Sequence, residues 1–141
     1  MKIRVPVDKK DTVKKWKEKL DRLFAQYIKK RDCINSKGQC FTCYDIFPIN
    51  QLQAGHFRPR QYNSTRYDEI NVQLQCSKCN CFEQGEQWEF GNHLNEKYGE
   101  VTALDLIKKS HEIKKFTVQE LRDLYGYYKD KIQFLEKELN G

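Results

Sequence analysis

Apolar residues between positions 11 and 31 recur three and four apart: Val13, Trp16, Leu20, Leu23, Phe24, Tyr27 and Ile28. That spacing places them on one stripe of an α-helix, for which Asp11 is the expected N-cap. The same period returns near the end of the chain with Leu121, Leu124, Tyr125, Tyr128, Ile132 and Leu135. This second stripe is preceded by Thr117 and Glu120, three apart as in a capping box. Two further helices are expected, one near residues 86–98 that stops at Gly99 and one running from Thr102 toward Lys115.

Between these helices the period is lost. Residues 33–87 gather cysteine, glycine, proline, asparagine and aromatic side chains. Two short runs read as strands, around Gln51–Phe57 and Val72–Gln75, joined by a polar loop over residues 58–69. A helix is expected to begin within "CSKCNCFEQ". The pattern predicts an α+β chain, mostly helical, forming a single domain over 1–141. An N-terminal helical segment (1–32) and a C-terminal helical region (100–141) bracket a cysteine-bearing centre (33–99).

Composition sharpens this picture. Only 38% of the 141 residues are hydrophobic and 33% are charged, so the core is modest and a staple such as a metal is expected. No run has the length of a membrane span, and the basic start "MKIRVPVDKKD" has no apolar signal region behind it. A soluble cytoplasmic protein is expected. The net charge of +6 is uneven. Residues 1–32 carry twelve Lys or Arg against five Asp or Glu, a net +7, whereas the other 109 carry fourteen against fifteen. Lys10, Lys14, Lys15 and Lys17 would face a polyanion such as DNA; charge alone equally admits a solvated helix face.

Four of the six cysteines form two matched pairs, Cys40–Cys43 and Cys76–Cys79, in the pattern C-x2-C-x32-C-x2-C. In a reducing compartment this spacing reads as a tetrahedral zinc site. Four thiolates leave no open coordination position, so the zinc would be structural. Cys33 reads as a buried small hydrophobe, and Cys81 has no assigned role. Between the pairs lie His56 and Asn71, and Asn80 directly follows Cys79. By themselves, a histidine is as readily a packing residue, and the two asparagines cap turns or helices as readily as they ligate.

The order His56, Asn71, Asn80, interleaved with the cysteine pairs, resembles the HNH nucleases of the ββα-metal fold, in the variant ending in Asn. The chain is similar to the endonuclease VII-like Holliday-junction resolvases. It is also similar to the Rap/NinG recombination nucleases of lambdoid phages, through Cys40–Cys43, "AGHF", "NVQLQCSKCN", Gly85 and a helical tail. The resemblance spans roughly residues 38–139. It implies a zinc-stapled ββα centre in which His56 is the general base and Asn71 braces the hairpin. Asn80 would ligate a catalytic Mg2+ or Mn2+ that stabilises the phosphorane and the leaving 3′ oxygen. The sequence departs from the pattern at Gly55, where an Asp or His usually precedes the base, at Gln53, and at Glu83 and Glu86. Glu86 is the favoured substitute carboxylate.

The function implied is a metal-dependent endonuclease for branched or partly single-stranded DNA, phage- or prophage-encoded and acting in recombination or repair. Arg58, Arg60 and Arg66 would clamp phosphates. Tyr62, Tyr67 and Phe57 would stack on unpaired bases, while Trp88 packs in the core and His93 and His111 sit within helices. A homodimer through the C-terminal helix is an open expectation. Two other readings are a catalytically idle zinc module that binds DNA or protein, and a sequence-specific HNH enzyme.

Overall fold

The computed structural model describes residues 12–82 and 86–140. It is a mixed α+β structure in which five helices surround two small antiparallel hairpins. In chain order these are α1 (Val13–Asp32), β1 (Lys37–Gln39), β2 (Ile46–Pro48), β3 (Leu52–His56), α2 (Asn63–Arg66), β4 (Val72–Cys76), α3 (Gln87–Tyr98), α4 (Thr102–Ser110) and α5 (Val118–Asn140). β1 pairs with β2, and β3 with β4.

α1 forms on the predicted stripe and buries Leu20, Phe24, Tyr27 and Ile28. Its N-cap is Thr12, whose hydroxyl accepts from the Lys15 amide at 3.2 Å. Asp11, the expected cap, lies outside the described residues. On one side α1 packs along α5 through Leu121, Tyr128 and Ile132, and on the other it meets Leu52, Val72 and Leu74 of the second hairpin. Phe24 joins the two halves, with ring centroids 4.8 Å from Tyr128 and 5.6 Å from Tyr67. The capping box of α5 is present: Thr117 Oγ1 accepts from the Glu120 amide at 3.1 Å, and Glu120 Oε1 accepts from the Thr117 amide at 3.3 Å. α5 spends Leu121, Tyr128 and Ile132 on this core and leaves Tyr127 and Phe134 exposed.

The strands around His56 and Asn71 form as expected, with His56 opposite Val72 and Leu52 opposite Cys76. Several features differ from the sequence reading: the hairpin of β1 and β2 is new, and the expected polar loop over 58–69 contains α2. After Cys76 the chain makes a five-residue π-helical turn, Lys78–Phe82, and the next helix begins only at Gln87. α4 stops at Ser110, whose hydroxyl turns back to the Ile107 carbonyl at 2.6 Å, so His111 lies beyond the helix. Trp88 is 78% exposed, not in the core. That role falls to Phe90 and Leu94, which pack with Phe57 and Leu106. No helix among the described residues is long and apolar enough to cross a membrane.

β4 is buried along its whole length, including Gln73 and Gln75. Gln75 Nε2 donates to Thr42 Oγ1 at 3.0 Å and so ties the second hairpin to the segment between Cys40 and Cys43. The Gln75 side chain also occupies the space beside Gly55. A Cβ at residue 55 would lie 2.0 Å from Gln75 Oε1, so an acidic side chain there would collide with Gln75. Gly55→Ala is therefore expected to destabilise the protein by about 1–3 kcal/mol, as overpacking does. Denaturant unfolding measures this, and an unchanged midpoint would show that Gln75 yields freely.

Candidate metal centre and the cavity beside it

The first cysteine pair sits in the link between β1 and β2. A tight turn closes it, with the Tyr44 amide bonded to the Cys40 carbonyl at 3.0 Å and the Cys40 amide to the Asp45 carbonyl at 2.9 Å. Tyr44 takes a left-handed conformation, φ 68°, to complete the turn. Cys76 ends β4, and Cys79 lies in the π-helical turn. The four sulfurs lie within 4.8 Å of one another, with Cys43 Sγ 3.9 Å from Cys76 Sγ. Sulfurs bound to one zinc at about 2.3 Å stand about 3.8 Å apart at tetrahedral angles. The donor set fits that ion in both chemistry and spacing, so these cysteines could hold one zinc.

The thiols differ in acidity. Burial works against the Cys40 thiolate, but backbone N–H groups of Cys43, Cys76 and Thr42, with the Thr42 hydroxyl, pull the thiol down to about 6. Burial pushes Cys79 up to about 11 and raises Cys43 as well. Cys33 belongs to the main core, where burial raises its thiol. Cys81 is exposed, with Sγ 3.3 Å from Gln53 Oε1.

Asn80 follows Cys79 directly, so the second cysteine pair fixes where its amide lies. It lines a cavity of about 420 Å³ together with His56 and Gln53 of the hairpin and Asp21 of α1. Asn80 Nδ2 donates to Gln53 Oε1 at 2.6 Å. The amide oxygen is the end of Asn80 that a hard cation would take.

His56 Nε2 lies 3.0 Å from the Arg66 carbonyl oxygen. A carbonyl only accepts, so this contact places the proton on Nε2 and the lone pair on Nδ1. Burial is the main reason the imidazole is pulled down to about 4, and Arg60 and Arg66 add to the effect against Asp21 and the carbonyl bond. The ring is neutral near pH 7.

Asn71 is fully buried and braces the loop that carries Arg66. Its Oδ1 accepts from the Arg58 amide at 2.8 Å, and its Nδ2 donates to the carbonyls of Arg58 and Thr65, each at 3.0 Å. It closes both ends of the loop through main-chain groups, and so sets where the Arg66 carbonyl meets the imidazole.

The expected phosphate clamps divide. Arg66 is 14% exposed and forms a two-point ion pair with Asp21, Nε to Oδ1 at 3.0 Å and Nη2 to Oδ2 at 2.6 Å. Its guanidinium holds the loop and is not free for a phosphate. Arg58 donates to Ser110 Oγ at 2.9 Å and lies over the Tyr62 ring. Arg60 is 60% exposed at the cavity and pairs with the same carboxylate, Nη1 to Asp21 Oδ2 at 3.6 Å. Lys14 and Lys15 are exposed, Lys17 is half-buried with its pKa lowered by burial and then by Arg66, and Lys10 lies outside the described residues.

Of the expected stacking rings, Phe57 is core, and the Tyr67 hydroxyl is committed to Asp21 at 2.9 Å. Glu86 is not brought to His56 and Asn80. It lines a different cavity, beside the cysteines, and Glu83 and Gly85 lie outside the described residues. His93 is a packing residue, bonded to the Phe41 carbonyl and stacked on Tyr44.

Sequence reasoning missed Asp21. A faint signal existed: it sits between Leu20 and Phe24 at the edge of the buried stripe, where a carboxylate needs a cationic partner. It also missed the first hairpin and Gln87, whose amide donates to the His56 carbonyl.

The family model described as the bacteriophage lambda NinG protein matches residues 1–138. The chain belongs to the NinG family. It is 27% identical over 121 residues to the ninG protein of Escherichia phage 933W, covering 85% of this chain and 58% of that protein. The ninG protein of Salmonella phage P22 is 26% identical and that of Escherichia phage lambda 25%, with 85% of this chain and 57% of each relative covered. The chain thus spans under three fifths of the length of these NinG relatives. No solved structure matches. Within this NinG chain, the region of similarity holds both cysteine pairs and the cavity that His56 and Asn80 share.

Proposed function

We propose that this NinG chain is a metal-dependent endonuclease of the HNH type, with β3, β4 and the π-helical turn that carries Cys79 and Asn80 serving as a ββα-metal centre. Its substrate is branched or partly single-stranded DNA, and its setting is phage recombination. The observation that carries the reading is that His56 and Asn80 line one cavity, beside a four-cysteine site, with Nδ1 of a neutral imidazole as the lone-pair nitrogen. In this reading Nδ1 accepts a proton from a water that attacks the phosphorus, and the bond to the 3′ oxygen breaks. The Arg66 carbonyl accepts from Nε2–H, so the neutral ring presents Nδ1 before the transfer and the imidazolium keeps the same bond after it. Asn80, through its amide oxygen, would hold Mg2+ or Mn2+, and a bound cation offsets charge on the phosphate and the leaving oxygen. Arg60, exposed at the cavity, is placed to meet a neighbouring phosphate.

The experiment is cleavage of a four-way junction, a fork and linear duplex, each with Mg2+, with Mn2+ and with EDTA. Cation-dependent cuts at the branch support the reading. Cuts at one sequence irrespective of branching would instead favour a sequence-specific HNH enzyme. A different observation favours an idle DNA-binding zinc module: among the described residues that line the cavity the one carboxylate, Asp21, is already committed to Arg66, Arg60 and Tyr67. Junction binding without cleavage in any cation would establish that alternative.

The lysine-rich helix is proposed to add affinity and no chemistry. Lys14 and Lys15 are exposed near the start of α1. Lys14→Gln with Lys15→Gln is expected to reduce the slope of log K against log salt by about 1–2, since each phosphate contact contributes roughly 0.7–0.9. Binding isotherms between 50 and 200 mM salt measure the slope, and an unchanged slope would remove these residues from the DNA path.

A further inference from the structure

We propose that Asp21, on the N-terminal helix, is a positioning residue for the imidazole of His56. The link runs through one residue. The Asp21 carboxylate grips the Arg66 guanidinium at two points, 3.0 and 2.6 Å, and the main-chain carbonyl of Arg66 receives Nε2 of His56 at 3.0 Å. Arg66 Nη1 also donates to the Arg60 carbonyl at 2.8 Å, so the same guanidinium folds the loop back on itself. A fifth bond, from the Tyr67 hydroxyl to Asp21 Oδ1 at 2.9 Å, anchors the next residue.

The anchor itself is rigid. Asp21 stands between Leu20 and Phe24, which are 0% and 1% exposed, so α1 cannot turn without opening the core. A planar guanidinium held at two points by a carboxylate has a fixed orientation. That orientation carries over to the adjacent peptide. The carboxylate also faces the cavity, where it opposes the positive charge of Arg60 and Arg66 beside the ring. α1 thus belongs to the site.

The test reads the ring directly. The chain has three histidines, so side-chain 15N spectra of the zinc-loaded protein resolve each imidazole. The wild type is expected to hold His56 as the Nε2–H tautomer. Asp21→Asn keeps the shape of the side chain but removes the charge. It is expected to give a mixture of tautomers at His56, leave those of His93 and His111 as they were, and lower kcat about tenfold with KM unchanged. Tyr67→Phe removes a single bond to Asp21 and is expected to shift His56 in the same direction by less. It supplies the answer if Asp21→Asn fails to fold. An unaltered His56 tautomer in the folded variants would overturn the proposal. The kcat arm rests on His56 being the base, but the tautomer arm does not. A tautomer shift in Asp21→Asn beside a wild type that cuts no DNA would leave Asp21 as a positioning residue and defeat the nuclease reading. An unshifted tautomer in an active enzyme would do the reverse.

Discussion

Alanine at position 56 is expected to slow cleavage of a branched DNA by about 10²–10⁴-fold, the range that a positioned general base contributes. Affinity for the same DNA should stay within about twofold, because the imidazole is neutral and recessed and offers no charge to a phosphate. Single-turnover rates and binding isotherms on one junction separate the two effects. The pH profile carries the same signature. Burial holds His56 at about 4, well below the ordinary histidine value of 6.5, so the lone pair is available throughout the neutral range. The acid limb of the rate is expected near pH 4–5, and a limb centred at 6.5 would mean that the working base is elsewhere. Stability follows the same sign. Between about pH 6.5 and 4 the unfolded chain binds a proton at this residue that the folded chain refuses, so stability declines as pH falls through that window. The decline should be absent in His56→Ala.

Loss of the four-cysteine site is expected to have the larger structural effect. Structural zinc contributes roughly 10–16 kcal/mol in zinc-finger peptides, while a whole domain is stable by only about 5–15 kcal/mol. Cys40 and Cys76 are 0% and 3% exposed, and their sulfurs fall among four within 4.8 Å. Cys40→Ser or Cys76→Ser is expected to abolish stoichiometric zinc and expose the amides of β4 to hydrogen exchange. The damage should reach α1, because Leu52, Val72 and Leu74 of the hairpin pack into the same core as Leu20 and Phe24. Cys81→Ser, one residue past Asn80 and outside the four-sulfur cluster, should keep one zinc per chain. Elemental analysis with exchange mass spectrometry reads both results. Full β4 protection in a zinc-free variant would show that the hairpin holds without the ion.

What could be read in the sequence follows the strength of each local signal. α1 and α5 were legible because seven and six apolar positions repeat at helical spacing. The capping box at Thr117 and Glu120 marked where α5 begins. The cysteine frame was legible because two identical spacings rarely coincide by chance. The hairpin around His56 and Asn71 was legible because each strand is a short run bounded by turn formers. The first hairpin was not, since strands of three residues such as Lys37–Gln39 carry too little alternation. The C-terminal end of α4 and the π-helical turn that carries Cys79 depend on hydrogen bonds and on four converging thiols, which spacing alone does not encode. Trp88 misled because a large apolar ring reads as core wherever it falls. Arg66 and Asp21 are 45 residues apart, and no local pattern announces that one charge cancels the other.

The most direct measurement is the end chemistry of a four-way junction incubated with protein carrying one zinc per chain, with and without added Mg2+. Cuts near the branch are expected only in the presence of the divalent cation, each leaving a 5′-phosphate and a 3′-hydroxyl. An intact junction in Mg2+ and in Mn2+, or cuts that persist in EDTA, would contradict the nuclease reading.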